Sequence, residues 1–167
     1  MRKQYALITT ALLISLFIYL FYRTEKTLVN QLLVWLISVE AYTHIKAVVV
    51  NTLPLNNVVV YSLPEGLWIF CITLTSKTYH FIIFGRRFNC LYMPLLFCLS
   101  LEILQMTHVT NGRFDWMDIG MSILFWLPGC YGFNPKEEKQ HIFTSLNSKT
   151  LVCFISYGIV YLAHVFK

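Results

Sequence analysis

Charge is what this sequence has least of. Asp, Glu, Lys and Arg make up 13% of its 167 residues, against about 25% in an ordinary soluble domain. Hydrophobic residues take 57% where about 45–50% is usual, and a chain this short has no interior large enough to hide them. Lipid is therefore the expected solvent for most of the surface, which excludes a disordered chain, a secreted disulfide scaffold and a water-soluble enzyme. Paired cysteines are also missing. Cys71, Cys90, Cys98, Cys130 and Cys153 are odd in number, form no C-x-x-C and lie in or beside apolar stretches, the pattern of small buried hydrophobes. There is no phosphate loop, nucleophile elbow, dinucleotide fingerprint or H-E-x-x-H. No cofactor and no metal are expected. The net charge of +5 would suggest nucleic acid in a soluble protein. Here Lys and Arg gathered on one membrane face explain it, and no nucleic-acid partner is expected.

What is present is a series of apolar runs. The expected fold is an all-α membrane protein, one integral domain over 1–167, with about five transmembrane helices and one amphipathic interfacial helix. The spans fall at about 5–22, 63–84, 90–108, 115–131 and 150–166. A run of about 18 residues is long enough to cross a bilayer, and no small-x-small cleavage site follows the first. The segment 28–50 differs. Leu28, Leu32, Trp35, Leu36 and Val39 recur at helical spacing, but Asn30, Gln31, Glu40, His44 and Lys46 interrupt them. That pattern suits a helix lying on the membrane, although one entering it is also open. Ser62-Leu63-Pro64-Glu65 opens the second span with a capping-box pattern, and Lys77 is placed to snorkel from its last turns.

Charge orients the spans. With the N-terminus in the cytoplasm and five alternating spans, the inner face carries net +6 and the outer face net −1, as the positive-inside rule requires. The C-terminus then lies outside. Three separated polar groups meet near the outer interface in this topology: Glu65, the pair Glu102 and Gln105, and the set Arg113, Asp115 and Asp118. Four of the eight acidic residues thus gather with one arginine. Glu102 lies about a dozen residues into its span, where an ionisable group costs a few kcal/mol unless paired or wetted. Each member also has a plainer reading. Asp115 is placed as a helix N-cap with Asp118 in the favourable first turn, Glu65 as the capping-box acid, and Arg113 as the clasp that holds Glu102 or Asp118. His108 is one turn beyond Gln105 and could extend their stripe, but Gln is a poor metal ligand. Arg86-Arg87 reads as a topology anchor near anionic lipid heads, and Gly120, Gly129 and Gly132 as places for close helix contact.

Glu102-x-x-Gln105, a short connection with an arginine, and Phe114-Asp115-x-x-Asp118 opening a helix resemble the VanZ-like family of small bacterial membrane proteins. The resemblance covers mainly 100–127. It departs at Ser122 and Phe125, where members often carry Asn and Gly, and Arg113 lies one residue nearer Asp115 than the family arginine. The family takes its name from a member associated with teicoplanin resistance. The resemblance implies the bacterial cytoplasmic membrane and Glu102, Gln105, Asp115 and Asp118 as site residues. The expected function is binding of an envelope component by an outward-facing acidic/Arg cluster. The occupant would be a lipid-linked precursor, a lipid head or a partner membrane protein. Two alternatives stay open: a structural subunit of a larger membrane assembly, and an acid/base enzyme acting on a lipid-linked substrate.

Overall fold

Helix α5, Leu63–Ser76, is the most buried element of the chain: eleven of its fourteen residues are out of solvent. Its flanking run 57–62 is helical too, so Asn57–Ser76 forms one apolar rod of 20 residues. A computed structural model describes residues 2–23, 28–109, 114–132, 139–143 and 147–165. In order they form α1 (Arg2–Tyr22), α2 (Leu28–Ile37), α3 (Val39–Thr52), α4 (Asn57–Tyr61), α5, β1 (Tyr79–Ile83), β2 (Arg86–Asn89), α6 (Met93–Met106), α7 (Trp116–Tyr131), β3 (Gln140–His141) and α8 (Ser148–Val165). The protein is mostly helical. Gln4–Tyr22 and Asn57–Ser76 are long and apolar enough to cross a membrane, as is the bent pair Asn30–Ile37 and Val39–Thr52 if it counts as one.

Contacts along α5 fix the direction of its neighbours. Gln4 Nε2 donates to the Leu74 carbonyl and Cys71 Sγ to that of Ile8, so α1 runs antiparallel to α5. On α7, Phe125 lies against Gly66 and Gly129 against Thr73, so α7 runs parallel to it. Cys98 of α6 meets both Glu65 and Ser122, while Trp126 Nε1 donates to the Leu91 carbonyl. Helix α6 therefore opposes α5 and α7. Ser76 meets Tyr157 of α8, and Tyr79 just beyond α5 meets Thr150, which makes α8 antiparallel as well. One core joins Tyr19, Trp68, Ile69, Ile72 and Cys98. A second joins Ile8, Ala11, Leu67, Cys71 and Leu74. All five cysteines are buried and free.

Three sequence expectations need correction. The second span does not run to 84. Helix α5 ends at Ser76, and 79–89 form an antiparallel hairpin in which His80 faces Asn89 and Ile83 faces Arg86. Tyr79, Phe81, Ile82 and Ile83 are strand formers, and Phe84 and Gly85 both have positive φ, 50° and 74°, which closes a two-residue turn. Hydropathy alone cannot separate such a strand from the tail of a helix. Strand β3 pairs with β1 in parallel, so the sheet order is β2-β1-β3.

The segment 28–50 is not one amphipathic helix. It breaks at Ser38, φ 75°, into α2 and α3 at 117° to one another. The Ser38 side chain accepts from Ala41 N and caps α3, which substitutes a new helix start for the continuing ladder. Tyr42 of α3 is fully buried, and its hydroxyl donates to the Leu20 carbonyl at 2.7 Å. Leu32, Trp35 and Leu36 of α2 stay exposed. The third correction concerns Lys77, which is only 4% exposed. Its Nζ donates to the carbonyls of Gly129 (3.0 Å) and Cys130 (3.3 Å). Instead of snorkelling to water, this ammonium covers the negative end of α7.

Candidate functional site

Three helices deliver carboxylates to one place. Glu65 stands in the first turn of α5, Glu102 near the end of α6 and Asp118 in the first turn of α7. Because α6 opposes the other two, its C-terminal end meets their N-terminal ends. One oxygen from each of the three side chains lies within 4.8 Å of the others. Two unit charges at that distance repel by about 3–4 kcal/mol at an effective dielectric of about 20, a repulsion that a nearby cation or a shared proton relieves. Glu102 is 2% and Glu65 8% exposed. Asp118 is half-buried, and its Oδ1 is out of solvent with no hydrogen-bond partner among the described residues.

The expected group divides on closer inspection. Asp115 is exposed, and its Oδ1 accepts from Met117 N at 2.9 Å. It is the N-cap of α7, the plainer of its two readings, and its carboxylate is directed at its own helix. Glu102 has a structural bond as well, accepting from Asp115 N at 3.2 Å. That bond ties the end of α6 to the start of α7. Gln105 is buried on the same α6 face. Arg113 lies outside the described residues. His108 has left the stripe: α6 stops at Met106, and His108 is exposed with φ 56°. No His is needed for a cation-ready set, however. The expectation of no metal rested on missing motifs, whereas three single carboxylates from three helices make a group able to hold an ion, which no local motif reports.

Sequence reasoning missed three members of the site. Cys98 donates from Sγ to Glu65 Oε1 at 3.3 Å and lies 3.0 Å from the hydroxyl of Ser122. Ser122, at the position where the resembled family often has Asn, is fully buried and closes this chain of polar contacts. Arg23, at the end of α1, acts electrostatically on Asp118. Its guanidinium sits 4.5 Å over the ring of Tyr19. It also donates to the carbonyls of Val60 and Tyr61 just ahead of α5. The i, i+3 spacing of Asp115 and Asp118 was visible in sequence; the approach of residue 23 was not, because it depends on α1 opposing α5.

Protein-family models, curated proteins and solved structures give no match to this chain. What the site can do must follow from its chemistry. Three carboxylates, one thiol, one hydroxyl and one nearby guanidinium can bind a cationic group and orient it by hydrogen bonds. Asp118 Oδ1 offers an acceptor to an incoming N–H.

Glycine sets how closely the site's helices approach. A Cβ on Gly66 would stand 2.5 Å from Phe125 Cδ2, and one on Gly129 would stand 2.9 Å from Thr73 Cγ2. Phe125 fills this crossing, and Gly66 supplies the space for its ring from the facing helix. Gly120 has open space around it, and Gly132 faces its own helix carbonyl at Pro128. Of the three glycines expected to permit helix contact, Gly129 does so.

Proposed function

We propose that the chain is a VanZ-like, multi-pass protein of the bacterial cytoplasmic membrane, with five spans, the N-terminus inside and the C-terminus outside. Its function is to bind the ammonium group of an envelope component, a lipid head or lipid-linked precursor, at the Glu65–Glu102–Asp118 site on the outer face. The observation that carries this reading is the convergence of three carboxylates from three helices, with a buried Asp118 oxygen that has no hydrogen-bond partner among the described residues. Helix directions support the topology. Helices α1, α6 and α8 run one way and α5 and α7 the other. The carboxylates thereby sit at one end, while Arg86, Arg87 and Lys139 sit at the other. Exposed Leu13, Leu96, Leu124 and Ile155 on the helix surfaces support lipid as the solvent.

Full-length protein in nanodiscs tests the binding. Spin-labelled phosphatidylethanolamine is expected to be enriched around the wild type over spin-labelled phosphatidylcholine. Glu65→Gln and Asp118→Asn should remove that preference in folded protein. An unchanged preference in both variants rejects the site. A second reading, a subunit of a larger membrane assembly, is favoured by Trp35, 84% exposed beside Leu32 and Leu36 on the α2 corner. Purification in mild detergent as a lone monomer rejects that one.

A further inference from the structure

The opposite end of the molecule carries a second concentration of charge, of the other sign. In the hairpin, His80 pairs with Asn89, and Arg87 lies two residues from Asn89 in β2. Side chains alternate along a strand, so His80, Arg87 and Asn89 share one face and Arg86 lies on the other. Lys139, just ahead of β3, donates from Nζ to Asn89 Oδ1 at 2.9 Å. His141 of β3 stands edge-on to His80, ring centroids 5.6 Å apart. Between these elements lies a cavity of about 390 Å³ lined by His80, Arg87, Asn89 and Lys139, within the size range of small-ligand sites. Among the described residues, its lining includes two cations and no carboxylate.

The hairpin's tip has the opposite character. Phe84 is 99% exposed, and Ile82, Ile83 and Phe88 are each close to half exposed. Phe84 also occupies a left-handed conformation in which a bulky aromatic is disfavoured and Asn or Gly is usual. A basic cavity toward the base of a hairpin whose tip is exposed and apolar matches the two halves of a phospholipid, a phosphate and acyl chains. Arg suits phosphate by its planar fork of donors and Lys by its point charge. The two ammonium hydrogens of Lys139 not spent on Asn89 can turn toward a ligand.

We infer that the cavity between Arg87 and Lys139 binds the phosphate of an anionic phospholipid. The inference rests on the membrane reading above only for the source of the lipid; it uses none of the residues of the carboxylate site.

Full-length protein, delipidated in neutral detergent, is titrated with phosphatidylglycerol and with phosphatidylcholine of the same chains. Native mass spectrometry then reads the retained lipid. One phosphatidylglycerol is expected to be held in preference to phosphatidylcholine, and excess inorganic phosphate should leave it in place. Arg87→Gln should weaken retention on the order of a hundredfold, the loss of both a charge and its charged hydrogen bonds. Arg86→Gln removes the same charge from the other face and should change it no more than about fivefold. Lys139→Gln repeats the test at an exposed position if Arg87→Gln fails to fold, with a loss again larger than that of Arg86→Gln. Equal losses for the variants of the two faces, or equal retention of the two lipids, overturn the proposal. Displacement by inorganic phosphate overturns it too, assigning the cavity to a free anion. Glu65→Gln should retain phosphatidylglycerol as the wild type does, which separates failure here from failure at the carboxylate site.

Discussion

At Gly66 the nearest obstacle to a side chain is the ring of Phe125, and at Gly129 it is the methyl of Thr73. Both crossings are set by contact distance, so Gly66→Ala forces either the ring or the helix to move. The expected cost is about 1–3 kcal/mol, as for other overpacked cores. A second change, Phe125→Leu, should recover part of it, and thermal unfolding followed by circular dichroism in detergent measures both. Lys77 tests a different term. Replaced by Met, it keeps most of its length but leaves the Gly129 and Cys130 carbonyls without their ammonium. The loss is expected at about 1–3 kcal/mol by the same measurement. Glu102 separates structure from binding. Gln there still offers an acceptor to Asp115 N and should fold; Leu offers none and should lower the unfolding temperature while Gln does not. The acids were legible in the sequence because an ionisable group deep in an apolar run is conspicuous. Cys98 and Ser122 were not, since both are ordinary core residues until a neighbouring helix makes them partners.

Among the elements, the hairpin is the one hydropathy misassigned. Phe81 to Phe84 continues the apolar character of α5, so composition alone extends the span. What ends the helix is local conformation: a β-branched and aromatic run closed by two left-handed residues, Phe84 and Gly85. Phe84→Asn is therefore expected to stabilise the turn by about 1 kcal/mol. Slower hydrogen exchange at the β1 and β2 amides would show it, and faster exchange would count against the assigned turn. The α2–α3 corner has a comparable origin. Apolar periodicity runs through Ser38, but its side chain caps the following helix and its positive φ turns the chain. Periodicity reports which residues share a face only while the helix continues.

For the whole molecule, helix direction decides what meets. Antiparallel α1 and α6 against parallel α5 and α7 bring Arg23, Glu65, Glu102 and Asp118 to one end and the basic hairpin to the other. The proposed orientation then has a direct test. A single cysteine at the exposed position Trp116 should react in intact cells with a membrane-impermeant maleimide. One at Arg86 should react only after permeabilisation. Labelling of both from the same side rejects the alternating five-span topology. The five native cysteines, all buried, should stay unlabelled until the protein is unfolded in SDS, which keeps that background low.

Scarce charge and long apolar runs were enough by themselves to determine a mostly helical chain with stretches suited to lipid. They also indicated which acids would be costly to leave alone, because desolvation depends on residue type and depth. The tertiary structure decided which of those acids act together. Asp115 turns to cap its own helix, Glu102 both bonds the start of α7 and joins the cluster, and Arg23 arrives from a helix more than forty residues earlier than Glu65. Those outcomes depend on distances between helices, and helix spacing here is set by contacts such as Gly66 with Phe125 that no single stretch of sequence contains.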